Sequence, residues 1–325
     1  MLERMVSVGL FPGLLCTNLL LAWLAFHAGV HPELIIGTVT LSSLALLAAL
    51  EPKLPHNPHW MPTRWGVLTD LLHGLFSNGL ANSLVQAAGL AAAFAAASAV
   101  SDQLGLWPHG WPLLAQVLVA MALGELAFYW LHRIAHEDER LWPWHGVHHS
   151  SERLTVWSAP RNHPANAVAS FVCQIGPAAV LGASQEALLL LSVFTTTHGM
   201  LQHANIVQTL GPLSLFFSTA EQHRWHHSTR MDQGNANYGS NLMLWDHLFG
   251  TYQRAPSVGP AAVGLSGATL PESFVLHMAA PLMWASATKP PAVDEGLPAL
   301  PTLDMDAIEA ALAEVVAREP TAASG

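Results

Sequence analysis

Long apolar runs dominate the first two thirds of the chain. Residues 6–28, 34–50, 80–100 and 112–131 are nearly free of charge. Each is about as long as the ~20 residues a helix needs to cross a bilayer. Two shorter apolar stretches, 165–183 and 186–202, are parted only around Gly182–Gln185. They predict a helical hairpin that spans thinly or dips into the membrane and returns. Polar and turn-forming residues then take over. A Pro-rich stretch, 289–301, precedes Ile308, Leu312 and Val315 at helical spacing. The pattern predicts an all-α, polytopic membrane helical bundle of about four spans plus the hairpin. Its expected parts are an anchor of helices over 1–111, a histidine-bearing part over 112–255 that includes the hairpin 165–202, and a segment over 256–325 ending in an acidic amphipathic helix.

Composition agrees with a membrane setting. Charged residues make up 10% of the chain, against about 25% in an ordinary soluble domain. The first apolar run has only Arg4 beside Glu3 before it and exceeds the core of a secretory signal peptide, so it reads as a retained anchor. Lys53 and Arg64 follow the second run, and Arg133, Arg140, Arg153 and Arg161 follow the fourth. Arg224, Arg230 and Arg254 follow the hairpin, while 29–33 and 101–111 have no Lys or Arg. Positive residues favour the cytoplasmic side, which places both termini and the histidine-rich segments there. The excess of Arg over Lys and the abundance of Ala point to a bacterial cytoplasmic membrane. Cys16 and Cys173 lie singly in apolar runs, with no CxxC spacing, so neither a disulfide nor a four-Cys iron–sulfur cluster is expected. Nothing resembles a basic nucleic-acid surface.

The candidate chemistry lies in three histidine groups: His132 and His136; His145, His148 and His149; His223, His226 and His227. Residues at i, i+3 and i+4 share a helix face, and neutral imidazole is the commonest protein ligand for transition metals. Eight imidazoles exceed what one ion holds, so two metal ions are expected, and the second and third groups can each supply ligands to both because i+3 and i+4 positions point slightly apart. His203, at the end of the hairpin, is a ninth candidate. His198 lies on another face and is not expected to take part. Glu125 lies on the same stripe as His132 and His136, and a carboxylate inside an apolar run is costly enough to suggest function. It is expected to orient a ligand imidazole through its second nitrogen, or to bind metal itself. His163 could line an entrance or be an ordinary loop residue.

The spacings HxxxH, HxxHH and HxxHH resemble those of the fatty acid hydroxylase/sterol desaturase superfamily over roughly residues 120–255. His203-Ala-Asn205 before the third box, Asn237-Tyr238-Gly239 and Trp245-Asp246-His247-Leu248-Phe249-Gly250-Thr251-Tyr252 are similar to further family segments. Ala220 departs from the family, where many members have Pro. The resemblance implies a non-haem centre of two Fe ions, with Zn able to replace them, that activates O2 to hydroxylate or desaturate a C–H bond. Asn205 and Asp246 would support the ligands. A lipophilic substrate is implied, such as a fatty acyl lipid, a sterol, an ether lipid, an aminolipid or a carotenoid.

The chain has no Rossmann glycine fingerprint and no haem module. Two electrons per turnover would come from a separate ferredoxin, rubredoxin or cytochrome type of donor. The rival readings are a histidine-rich zinc hydrolase, which would want an HExxH glutamate that is missing here, and a metal-binding or transport protein, which would place ligands near the bilayer midplane rather than at span ends.

Overall fold

A computed structural model describes residues 2–85, 91–254 and 256–288. The acidic helix expected near the C-terminus lies outside them. The regular structure of the described residues is helical, joined by loops with isolated bridges such as Phe217 to Leu242, and holds no strands. The expected all-α class holds.

Among the described residues, three helices are long and apolar enough to span a membrane. These are α1 (Leu2–His27, spanning from Val6), α2 (Pro32–Leu50) and α6 (Leu113–Glu137). Their outward faces carry Leu20, Leu21, Leu34, Leu41 and Leu114, each more than half exposed, which lipid would cover. Four full crossings are not reproduced among the described residues. The run 80–100 holds a short α4 (Ala81–Val85) and α5 (Ala91–Leu104) on either side of residues outside them. Before it come α3 (Arg64–Leu72) and a π-helical segment, His73–Leu80.

The hairpin is α8 (Pro164–Val180) and α9 (Gln185–His203). Helix α9 is not a lipid-facing rod. Its Leu189, Leu191, Val193 and Leu201 are buried, and it packs against α1, α2 and α6. Polar bonds fix that packing: Asn18 Nδ2 on α1 donates to Ser43 Oγ of α2 at 2.8 Å and to Thr197 Oγ1 of α9 at 3.0 Å. One apolar core joins Phe11, Leu15 and Leu47 to Met121, Leu191, Leu201 and Ile206. Of the remaining short helices, α7 (Trp142–His149) and α12 (Leu244–Phe249) pack on α6, α10 (Ala220–His226) on α9 and on α11 (Met231–Gly234), and α13 (Phe274–Ala279) on α3; α14 (Trp284–Ala287) lies at the end of the described residues.

Candidate metal centre

Each histidine box is placed by its own local device. His132 and His136 lie on the buried stripe of α6 with Glu125 and Tyr129. Pro143, in the first turn of α7, pre-sets the backbone that carries His145, His148 and His149. Thr219 and Gln222 form a reciprocal cap at the start of α10, which carries His223 and His226 and ends at His227. Ala220 is the first residue of that helix, a position where Pro is also favoured. The departure from the family pattern therefore leaves the helix start intact. His203 is the last residue of α9.

The nine histidines converge as two adjoining groups. His132, His136, His145, His149 and His226 form one; His148, His203, His223 and His227 form the other. In each, one ring nitrogen per residue lies within 4.8 Å of all the others. All nine side chains are buried. The second and third boxes are split between the groups, one giving two rings to the first group and one to the second, the other the reverse. The first box is not split: both of its rings belong to the five-histidine group. A 25-residue helix places its i+4 rings one above the other, so α6 can face only one group.

The chemistry of the rings calls for cations. His132 Nδ1 donates to the Tyr238 carbonyl at 2.7 Å, and His226 Nδ1 to the Ala236 carbonyl at 2.9 Å. Each neutral ring then has a bare lone pair on Nε2, yet the two Nε2 atoms are 3.0 Å apart. Lone pairs at that distance repel unless a positive ion lies between them. Protonating one ring would bury a charge with no carboxylate in either group to pair it. Nε2 pairs also face each other between His203 and His223 at 3.0 Å, His223 and His227 at 3.0 Å, and His145 and His149 at 3.1 Å. Burial holds His145, His149, His223 and His227 well below the usual histidine range, and His148 and His226 down to about 4. Rings kept neutral are ready to ligate, because a metal needs the deprotonated nitrogen. The residues therefore fit metal ions, and an all-imidazole donor set suits iron or zinc.

The supporting residues act differently from the sequence expectations. Glu125 meets no imidazole. Its carboxylate accepts from the backbone N–H groups of Ser240, Asn241 and Leu242 and from the Asn241 side chain. Asp246 accepts from Tyr238 N and Gly239 N at 2.8 Å each and from Thr251 Oγ1 at 2.7 Å. Both carboxylates thus clamp the loop whose carbonyls hold His132 and His226. Asn205 bonds to Asn57 and Trp60 on the loop after α2, and its own N–H donates to Glu51 Oε1 at 2.8 Å. It anchors the chain just past His203 without touching a ring. His163 is no free entrance residue. Its Nδ1 caps α8 by accepting from Ala165 N, and its Nε2 bonds the Met278 carbonyl. His198 stays out of both groups, bonded to Asn241 Oδ1 at 3.1 Å.

The loop itself explains Asn237-Tyr238-Gly239. Asn237 adopts a left-handed backbone, φ 56°, which Asn tolerates better than most residues. A Cβ on Gly239 would fall 2.2 Å from the Leu242 carbonyl oxygen, so only glycine fits. Sequence reading missed Asp70 and Arg161. They form a buried ion pair, Nε to Oδ1 at 2.6 Å, beneath the Arg161 carbonyl that accepts from His148 Nδ1 at 3.0 Å. The signal that could have found Asp70 is a lone carboxylate among the apolar residues Val67–Leu72. The carbonyl acceptors leave no trace in side-chain identity.

Comparison with known proteins agrees with this geometry. The fatty acid hydroxylase family model matches residues 117–251. The chain is 34% identical over 279 residues to the ornithine lipid hydroxylase OlsE of Rhizobium tropici, covering 85% of this chain and 84% of that one. It is 33% identical over 142 residues to the alkylglycerol monooxygenase of Danio rerio and 32% over 129 residues to that of Homo sapiens. Those two matches span only 31% and 28% of the relatives' own lengths. No solved structure matches. With the three boxes, the helical membrane scaffold and a relative matched along most of its length, the chain belongs to the fatty acid hydroxylase family and is an integral-membrane hydroxylase of lipids.

Proposed function

We propose that this protein is a di-iron oxygenase. In this reading it inserts one oxygen atom of O2 into a C–H bond near the head group of an aminolipid. The observation that carries it is the pair of adjoining all-histidine groups, with His132 and His226 presenting bare nitrogens to each other at 3.0 Å. Likeness to an ornithine lipid hydroxylase over most of the chain supports the substrate class. The five-histidine group would hold one iron and the four-histidine group the other. Such a centre, when bound, would supply the activation of O2: with two electrons from a separate donor and two protons, the C–H carbon would gain a hydroxyl and the second oxygen would leave as water.

The chain's own residues hold and shield that site. The Tyr238, Ala236 and Arg161 carbonyls keep a proton on Nδ1 of His132, His226 and His148, leaving Nε2 free. Val147 and Tyr238, almost wholly buried, help to exclude water. His132 and His136 lie in the last turns of α6, whose 25 residues extend about 37 Å at 1.5 Å per residue. The ions would therefore sit at the membrane boundary rather than its centre, level with lipid head groups. The Lys and Arg distribution supports a cytoplasmic location for that boundary, where a separate electron donor could dock.

Expression in cells making ornithine-type aminolipids, followed by mass spectrometry of lipid extracts, tests the reaction. A +16 shift on the aminolipid is expected, together with about two irons per purified chain. A shift confined to ether lipids would reassign the substrate, and a −2 shift would make the enzyme a desaturase. Turnover without O2 or reductant would remove the oxygenase reading. Cysteines placed at the exposed Glu152 and Ser257, after replacement of Cys16 and Cys173, test sidedness. They should resist a membrane-impermeant thiol reagent in intact cells and react in inverted vesicles.

A further inference from the structure

We infer that the cavity beside His136 is the subsite for a cationic, ammonium-bearing lipid head group. This rests on the lipid hydroxylase reading above and gives it a place for the substrate's charge. The cavity has a volume of about 490 Å³ and is bounded by His136, Glu137, Glu139, Trp142, Met231 and Trp284. Its position follows from the fold. It opens where α6 ends and α7 begins, the end of α6 that the reading above puts level with lipid head groups.

Three features give the cavity its chemistry. The first is contact with the metal centre. Trp142 stands edge-on to His136, with centroids 5.1 Å apart, and lies 5.3 Å from His149. Both rings belong to the five-histidine group. A molecule seated against Trp142 therefore has its neighbouring carbons beside that group. The second is the pair of indoles, Trp142 and Trp284, in the cavity wall, the side-chain type that attracts a cation most strongly. Trp284 reaches the cavity because position 146 is glycine: a Cβ there would fall 2.6 Å from the Trp284 ring. Gly146 lies between His145 and His148, so the box that supplies ligands also makes room for the cavity wall. The third is an uncommitted negative charge. Glu137 pairs with Arg133 at 2.8 Å and Asp138 with Arg140 at 2.7 Å. Glu139 has no cation partner among the described residues.

Two indoles and a free carboxylate around one space suit a primary or quaternary ammonium. They do not suit a phosphate, which the acidic rim would repel. The cavity therefore selects the charged end of a lipid and sets the bond presented to the metals near that end.

Photo-crosslinking tests the subsite independently of turnover. The probe is a dodecylammonium with a diazirine on the carbon beside nitrogen, and its control is the N-acetylated counterpart. The full-length, iron-loaded protein in lipid nanodiscs is labelled with each, and labelled peptides are mapped by mass spectrometry. The ammonium probe should mark the segments containing Trp142 or Trp284 about tenfold more than the acetylated probe. Glu139→Gln and Trp284→Leu should each bring that ratio toward one, and their iron content, measured alongside, identifies any variant that has lost its fold. The subsite is overturned by equal labelling with the two probes, by labelling confined to other segments, or by an unchanged ratio in variants that keep their iron. If the preference for the ammonium probe holds while no lipid gains 16 mass units, the cavity stands and the proposed reaction falls.

Discussion

The five-histidine and four-histidine groups use the same side chain but are held in different ways. In the first, His132, His136 and His226 all lean on one short stretch, bonding to the Tyr238 carbonyl, Asn235 Oδ1 and the Ala236 carbonyl. Glu125 and Asp246 clamp that stretch from both sides. In the second, the anchors are scattered. His148 bonds the Arg161 carbonyl, His203 bonds Gly199 one turn back in its own helix, and His227 Nδ1 is buried without a partner among the described residues. Three of the five rings in one group thus depend on a single loop, while the anchors of the other lie on several independent elements. Damage to either should therefore be separable.

The largest effect should come from removing one ring from each group. His226→Ala and His223→Ala should both abolish lipid oxidation, by more than about a hundredfold. They should differ in which iron is lost. Metal analysis with Mössbauer spectroscopy should show about one iron per chain in each, in distinguishable sites. Two irons retained in both variants would show that the groups do not each hold a metal.

Next come the clamps. Asp246→Asn and Glu125→Gln should lower activity about 10–100-fold, as losses of groups that orient ligands do, with the weakened iron on the five-histidine side. Asp70→Asn should weaken the four-histidine side instead. It leaves Arg161 as a buried charge without its carboxylate, a loss worth about 3–5 kcal/mol. The same iron lost in all three variants would dissolve the distinction between the groups.

The smallest effect concerns acid. His73 Nε2 and His277 Nδ1 lie 2.9 Å apart in the wall that faces Arg161. Burial holds both rings near pKa 3, with the Arg161 charge adding to it and the rings opposing each other; His163 and His148 also face His73, and Asp70 is paired to Arg161. A histidine whose folded pKa is depressed contributes full stability above its unfolded value of about 6.5. That contribution is lost as pH falls toward 3, because the unfolded chain takes up protons first. Hydrogen exchange over 270–279, corrected for intrinsic rate, should therefore quicken between pH 7 and pH 5. His73→Phe should blunt the response. Equal exchange at both pH values would show that the pair carries no such penalty.

Much of the centre was legible in the sequence. The nine converging histidines are the nine singled out by spacing and by resemblance, since i, i+3 and i+4 already fix which rings share a face. The long apolar helices α1, α2 and α6 were legible too, because length and apolarity alone make a helix fit a bilayer. The division of the rings into five and four was not legible. It depends on how α6, α7, α9 and α10 approach one another, and residues far apart in the chain meet only after packing. Nor could the roles of Glu125, Asp246 and Asn205 be read. Each acts through backbone groups, and a carbonyl or N–H is the same in every residue type. The sequence by itself determined which atoms could bind metal and which helices seek lipid. Only the tertiary structure decided which atoms face each other, which loop holds them and where a cavity opens beside them, because those outcomes are set by contacts between segments rather than by the pattern within one.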